Sequence, residues 1–154
     1  MPTFTSAHLG KWESLFTDLV DGEGSALTEE GTWMLGDKPG LVCVFEDDEP
    51  LFIEAASNIA KTLQCYIKGG AECELRTMVG VVEMGASLKN AAQRAKSGPL
   101  ALRISKRVEK FRYRVAPAPV KTMNQLADAF NVVADTRYAG PSALANRALD
   151  GLPQ

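Results

Sequence analysis

Histidine is almost missing from this chain: His8 is the only one in 154 residues. That excludes Ser-His-Asp and Cys-His catalysis unless His8 itself serves, and it excludes any multi-histidine metal site. A single histidine close to a terminus reads as a surface residue. Cysteine is scarce as well. Cys43, Cys65 and Cys73 are odd in number and form no CxxC pair, which argues against a disulfide framework or a zinc ribbon and predicts reduced core thiols. Long apolar runs are also lacking. The stretch "TMVGVVEMG" is far too short to cross a bilayer, and the opening "MPTFTSAHLGKWESLF" has no charged n-region followed by an apolar run. The expectation is a soluble protein without a signal peptide or a membrane partner, intracellular or carried in a virion.

What is present is ordinary for a globular domain: 45% hydrophobic and 23% charged residues in a length that suits one core. The charge is unevenly placed. Residues 1–60 hold twelve acids against Lys11 and Lys38, a net −10, while residues 61–154 hold fifteen bases against seven acids, a net +8. Either the fold keeps these halves apart as opposite faces, or it interleaves them.

Leu9, Trp12, Leu15, Phe16, Leu19 and Val20 recur at helical spacing, predicting a helix over 6–20 that docks on its own domain or on a neighbour. "LVCVFED" and "LFIEA", joined by the turn "DDEP", predict a β-hairpin. Ser57 is expected to cap a helix with Ile59, Leu63, Tyr66 and Ile67 on one face, stopped by "KGG". "AECELRTMVGVVEMG" and "SLKNAAQRAK", the latter capped by Ser87, read as two more helices. "LALRISKRVEKFRYRVAPAP" carries a long strand in which Phe111, Tyr113 and Val115 alternate with Lys110, Arg112 and Arg114. "KTMNQLADAFNVVADTR" is a helix with Met123, Leu126, Ala129, Phe130 and Val133 inward, and residues 136–154 read as a tail with one helical turn. The fold class expected is a single α+β domain: a small, mainly antiparallel sheet, made of the hairpin and the later strand, flanked by helices.

This order of elements, over a core of about residues 34–135, resembles the GIY-YIG nuclease superfamily. The resemblance is carried by "PGLVCVF" and "PLFIEAASNIAKTL", with Pro39-Gly40 before the first strand, Pro50-Leu51 before the second, and Ser57-Asn58-Ile59 opening the helix. The family implies a tyrosine near the attacking water, a second tyrosine orienting the phosphate, an arginine on the helix and a late glutamate for a divalent metal. At those positions this chain has Val42, Phe52 and Thr62, with Glu54 in place of a glycine and Asp128 as a possible remnant of the late acid. Val42 cannot hydrogen-bond water, Phe52 lacks the hydroxyl, Thr62 carries no charge to offset a phosphorane, and Glu54 repels an anionic backbone. Asp128 and a metal alone cannot replace these groups. The expectation is therefore an inactive site, with no catalytic residue, no cofactor and no metal.

Two functions remain. The first is a structural or interaction protein on a nuclease-like scaffold, contacting other protein subunits; the resemblance implies a phage particle as one setting. The second is a non-cleaving nucleic-acid module, in which Lys106, Lys110, Arg112 and Arg114, with Arg103 and Arg107 close by, form a basic stripe on the last strand. Phe111 and Tyr113 point away from that stripe, so no stacking platform accompanies it. An active metal-dependent endonuclease ranks third.

Overall fold

The structure is a computed structural model and describes residues 6–21, 23–69, 73–94 and 98–143. Its architecture is α+β, built on one four-stranded antiparallel sheet. A 3-10 segment, Ser6–Trp12, kinks at Gly10 and leads into α1 (Glu13–Val20). Then come β1 (Ser25–Ala26), α2 (Glu29–Trp33), β2 (Gly40–Glu46), β3 (Glu49–Ala56), α3 (Ile59–Lys68) and α4 (Glu74–Met84). The chain continues with α5 (Leu88–Arg94), α6 (Pro99–Val108), β4 (Arg112–Pro117) and α7 (Met123–Ala134).

The hairpin forms where the sequence places it. Asp47, at φ 54°, takes the left-handed conformation of the tight turn, which a short polar side chain tolerates. Strand β2 lies between β3 and β4, with Val42 opposite Glu54 on one side and Val115 on the other. An inner strand is covered on both faces, which explains the unbroken apolar run "LVCVF". Alternation sends Val42 and Val44 to one layer, with Phe52, Leu63, Val79 and Ile104. It sends Leu41, Cys43 and Phe45 to the other, with Phe16, Leu126 and Phe130. Helices α3, α4 and α6 fill the first layer, and α1 and α7 the second. The Phe16 and Phe130 rings meet edge to face at 5.2 Å, so α1 docks on its own sheet.

Gly40 opens β2 because nothing larger fits: an added Cβ would lie 2.4 Å from the Ala116 carbonyl oxygen and 2.9 Å from Ile59 Cδ1. That closeness also puts Ile59 against the sheet. Arg76, 1% exposed, binds three elements together. Its Nη1 donates to the Tyr66 carbonyl at 3.1 Å, and its Nη2 to the Ala101 carbonyl and Ser105 Oγ, both at 2.9 Å.

Three local expectations need correction. Asn58, not Ser57, caps α3: its Oδ1 accepts from the Lys61 N–H at 3.0 Å. The long strand is half helix, because Ala101, Ile104 and Val108 recur at helical spacing and bury one face of α6 before β4 begins at Arg112. Residues 136–140 are not a tail. Thr136 and Tyr138 are buried, and the Tyr138 N–H donates to the Leu51 carbonyl at 2.9 Å. The Ser87 cap of α5 stands, with Oγ accepting from the Asn90 N–H at 3.2 Å. The His8 side chain and residues 144–154 lie outside the described residues.

Candidate functional site

Strand β3 is an edge of the sheet, so alternate N–H and C=O groups along it face outward. Helix α7 lies along this edge. Asn131 turns its amide onto Ile53, accepting from the Ile53 N–H at 3.0 Å and donating to the Ile53 carbonyl at 2.8 Å. It also donates to the Ala127 carbonyl and accepts from the Thr136 hydroxyl. Beside this contact runs a groove of about 460 Å³ between β3, α7 and the start of α4.

The groove gathers three of the five residues singled out by the nuclease resemblance. Phe52 and Glu54 from β3 and Asp128 from α7 line it, joined by Glu74, Asn124 and Asn131. The other two do not reach it. Val42 is fully buried inside the sheet, and Thr62 is half-buried on α3. The lining therefore has three carboxylates and no basic side chain among the described residues. Among the described residues, those of the groove included, no three His, Cys, Asp or Glu side chains stand close enough to hold a metal ion.

Glu54 is not a simple solvated anion. The Tyr66 hydroxyl donates to its carboxylate. Burial pushes its acid up to about 7, the Tyr66 hydrogen bond opposes that rise, and the Glu74 charge adds to it. Burial also holds the Tyr66 hydroxyl in its protonated form, well above its ordinary value. The pair is a part-buried hydrogen-bonded contact between β3 and α3 at the wall of the groove.

The basic stripe is dispersed by the fold. Arg112 is exposed and Arg114 half-buried, and the guanidinium of each is engaged by backbone carbonyls of α1 or of the segment after it. Arg112 Nε donates to the Gly24 carbonyl at 2.8 Å. Arg114 donates to the Asp18 carbonyl at 2.7 and 3.0 Å and to the Glu23 carbonyl at 2.9 Å, closing the C-terminal end of α1. Arg107 leaves α6 for Glu46 at 2.6 Å and Glu83 at 2.8 Å, with its guanidinium 5.0 Å from the centre of the Phe111 ring. Arg103, Lys106 and Lys110 are exposed as well and group around Met84, apart from Arg112. The two charge-biased parts are also stitched together: Arg107 and Arg137 pair with Glu46, Arg137 with Glu49, and Lys68 with Glu29. This is interleaving at the contacts, carried by acids of the first sixty residues and bases of the remainder.

Residues that the sequence did not point to do much of the local work. Asn131 sits on the apolar face of α7, four residues from Ala127, and a lone amide on such a face is the one signal that marked it. Glu74 and Asn124 are exposed positions at the starts of helices and become groove residues only through the packing of α4 and α7. Comparison with protein-family models, curated proteins and solved structures finds no match.

Proposed function

We propose that this chain is a non-catalytic interaction protein, a nuclease-like frame retained for its surfaces and working in a larger protein assembly. One observation carries this reading: the groove that collects Phe52, Glu54 and Asp128 has three carboxylates and no base. A phosphodiester entering it would meet like charge and no group to neutralise a pentavalent phosphorus. Val42, sealed in the core, could not reach an attacking water from there. The surface supplies better candidates. Trp33, 53% exposed, and Met34, 84% exposed, stand together at the end of α2, and both residue types are enriched in protein interfaces. A phage particle is suggested by the GIY-YIG resemblance alone.

A second reading is favoured by Arg103, Lys106 and Lys110, exposed side by side on and just after α6, which suit a polyanion. Leu102, 69% exposed beside them, and the absence of an aromatic among the residues lining that patch count against nucleic acid. One preparation tests both. The purified protein is incubated with plasmid and single-stranded DNA in Mg²⁺ or Mn²⁺, and its mass is measured at low and high salt with and without DNA. No cleavage and self-association without DNA affinity is the expected outcome. Cleavage abolished by Asp128→Ala would overturn the non-catalytic reading. DNA affinity of a stable monomer, lost in an Arg103→Glu, Lys106→Glu, Lys110→Glu variant, would select the second.

A further inference from the structure

Strand β3 stays open at one place along its outer edge. Asn131 takes both outward groups of Ile53, and the Arg137 and Tyr138 N–H groups take the Pro50 and Leu51 carbonyls. Outward pairs recur at every second residue of an antiparallel edge, so Ala55 turns its N–H and C=O the same way as Ile53. Ala55 is half-buried and lines the groove, and no described residue bonds to its outward backbone groups.

The side chains around this gap are free as well. Glu74, Asn124 and Asp128 are exposed and make no hydrogen bond or ion pair with a described residue. Asn124, Asp128 and Asn131 fall at i, i+4 and i+7, on one face of α7. The chain leaving α7 meets Pro50 and Leu51, so the first turns of α7, with Asn124, lie toward Ala55. Carboxylates flank the edge on both sides. Asp128 comes from the layer of α1 and α7, whereas Glu54 and Glu74 belong to the layer of α3, α4 and α6.

We propose that the groove takes an extended, basic segment of a partner protein, laid along β3 as an added strand. The inference rests on the non-catalytic interaction reading above and gives the chemistry of the partner at its groove. The segment's backbone accepts from the Ala55 N–H and donates to the Ala55 carbonyl, the same exchange that the Asn131 amide makes with Ile53. Side chains of an added strand alternate across the edge. One Lys or Arg therefore meets Asp128, and its neighbour meets Glu54 and Glu74, with no base in the lining to repel either. Charge complementarity selects this occupant, because an acidic segment would add like charge to the three carboxylates.

The test titrates the intact, isotope-labelled chain with the peptide acetyl-Thr-Val-Lys-Lys-Val-Thr-amide at low salt. Saturable binding with amide shifts centred on Ala55 is the result expected, and Glu-Glu in place of Lys-Lys should abolish it. Methylating the two lysine backbone nitrogens keeps the charge and removes the donors, so it should weaken binding at least about fivefold. Glu74→Gln combined with Asp128→Asn, both at exposed positions, should weaken it by a similar factor. The peptide comparisons need no variant, so they decide even where a variant folds badly. Equal affinity for the methylated peptide, shifts remote from Ala55, or no binding would overturn the inference. Such a failure in a protein that self-associates and cuts no DNA leaves the interaction reading standing. Cleavage of plasmid DNA in Mg²⁺ or Mn²⁺ would remove that reading, and this inference with it.

Discussion

The amide of Asn131 and the backbone of Ile53 exchange two hydrogen bonds, at 3.0 and 2.8 Å, so that one side chain on α7 takes the place of a neighbouring strand. Edge strands carry unpaired donors and acceptors that invite pairing with other chains. Here the pairing is closed at its middle by Asn131 and at Leu51 by the Tyr138 N–H. The edge is blocked by side-chain and loop contacts rather than by charge.

Asn131→Ala should therefore destabilise the fold by about 2–4 kcal/mol, because two backbone groups of the buried Ile53 lose their partners. Asn131→Asp should cost at least as much, since it still accepts from the Ile53 N–H but sets a buried carboxylate oxygen against the Ile53 and Ala127 carbonyls. Urea midpoints for the two variants check the order, and light scattering checks whether the opened edge associates. An alanine variant as stable as the parent would mean that the amide does not close the edge.

Glu54 predicts a fall in stability as pH rises. The native fold holds its proton up to about 7, whereas an ordinary carboxyl releases it near 4.5, so the folded acid is raised above the unfolded one. Its contribution is complete below about 4.5 and is lost as pH climbs to about 7. The loss amounts to at most about 3 kcal/mol. Glu54→Gln keeps an acceptor for the Tyr66 hydroxyl and removes the charge, so its urea midpoint should flatten across that window. A parent midpoint that is level from about 4.5 to 7 would contradict the burial of this carboxyl.

Glu46 works in the opposite direction. Hydrogen bonds from Arg107, and then from Arg137, hold its acid down at about 2 against a burial effect that raises it. A depressed native value gives stability that is present above about 4.5 and lost as pH falls toward about 2. Glu46→Gln should remove that acid limb. Arg107→Ala should cost about 1–3 kcal/mol at neutral pH, since it leaves Glu46 and Glu83, each only about one-fifth exposed, with Arg137 as their remaining cation. Equal acid midpoints for Glu46→Gln and the parent would remove the network from the account of acid unfolding.

The hairpin and the two-sided core were legible because β2 is apolar on both faces and Asp47-Asp48 can only be a turn there. The boundary of α6 was not. The period-two alternation of Phe111, Tyr113 and Val115 is strong enough to be extended backward over Ala101, Ile104 and Val108, whose spacing is helical. The fate of the arginines was equally hidden. Arg112 and Arg114 alternate with apolar residues as a solvent face would, yet chain from about ninety residues away offers them carbonyl oxygens, Asp18 of α1 to Arg114 and Gly24 after it to Arg112. The groove was half visible: motif positions identified Phe52, Glu54 and Asp128, while Glu74, Asn124 and Asn131 arrive by tertiary packing that no local pattern encodes.

Phe52 separates a structural role from a catalytic one. It stands where the resemblance implies a phosphate-orienting tyrosine, yet it is 3% exposed, opposite Val44 in the hairpin and within the cluster that includes Leu63 and Val79. One side of the ring borders the groove and the rest is packed in the core. Truncation to alanine removes that packing and should cost about 3–5 kcal/mol, a large part of the stability of a domain this size. Phe52→Leu keeps most of the apolar volume and should cost about 1–2 kcal/mol. Phe52→Tyr is the sharper variant, because it supplies the ring hydroxyl that the resemblance implies at this position but leaves Val42 and Thr62 unchanged. It should still cut no DNA in Mg²⁺ or Mn²⁺, since neither water activation nor phosphate neutralisation returns with it. Thermal melts and a plasmid-nicking assay on the three variants decide the matter. A melting temperature unmoved by Phe52→Ala would take the ring out of the core, and nicking gained by Phe52→Tyr would make the groove a nuclease site one hydroxyl short.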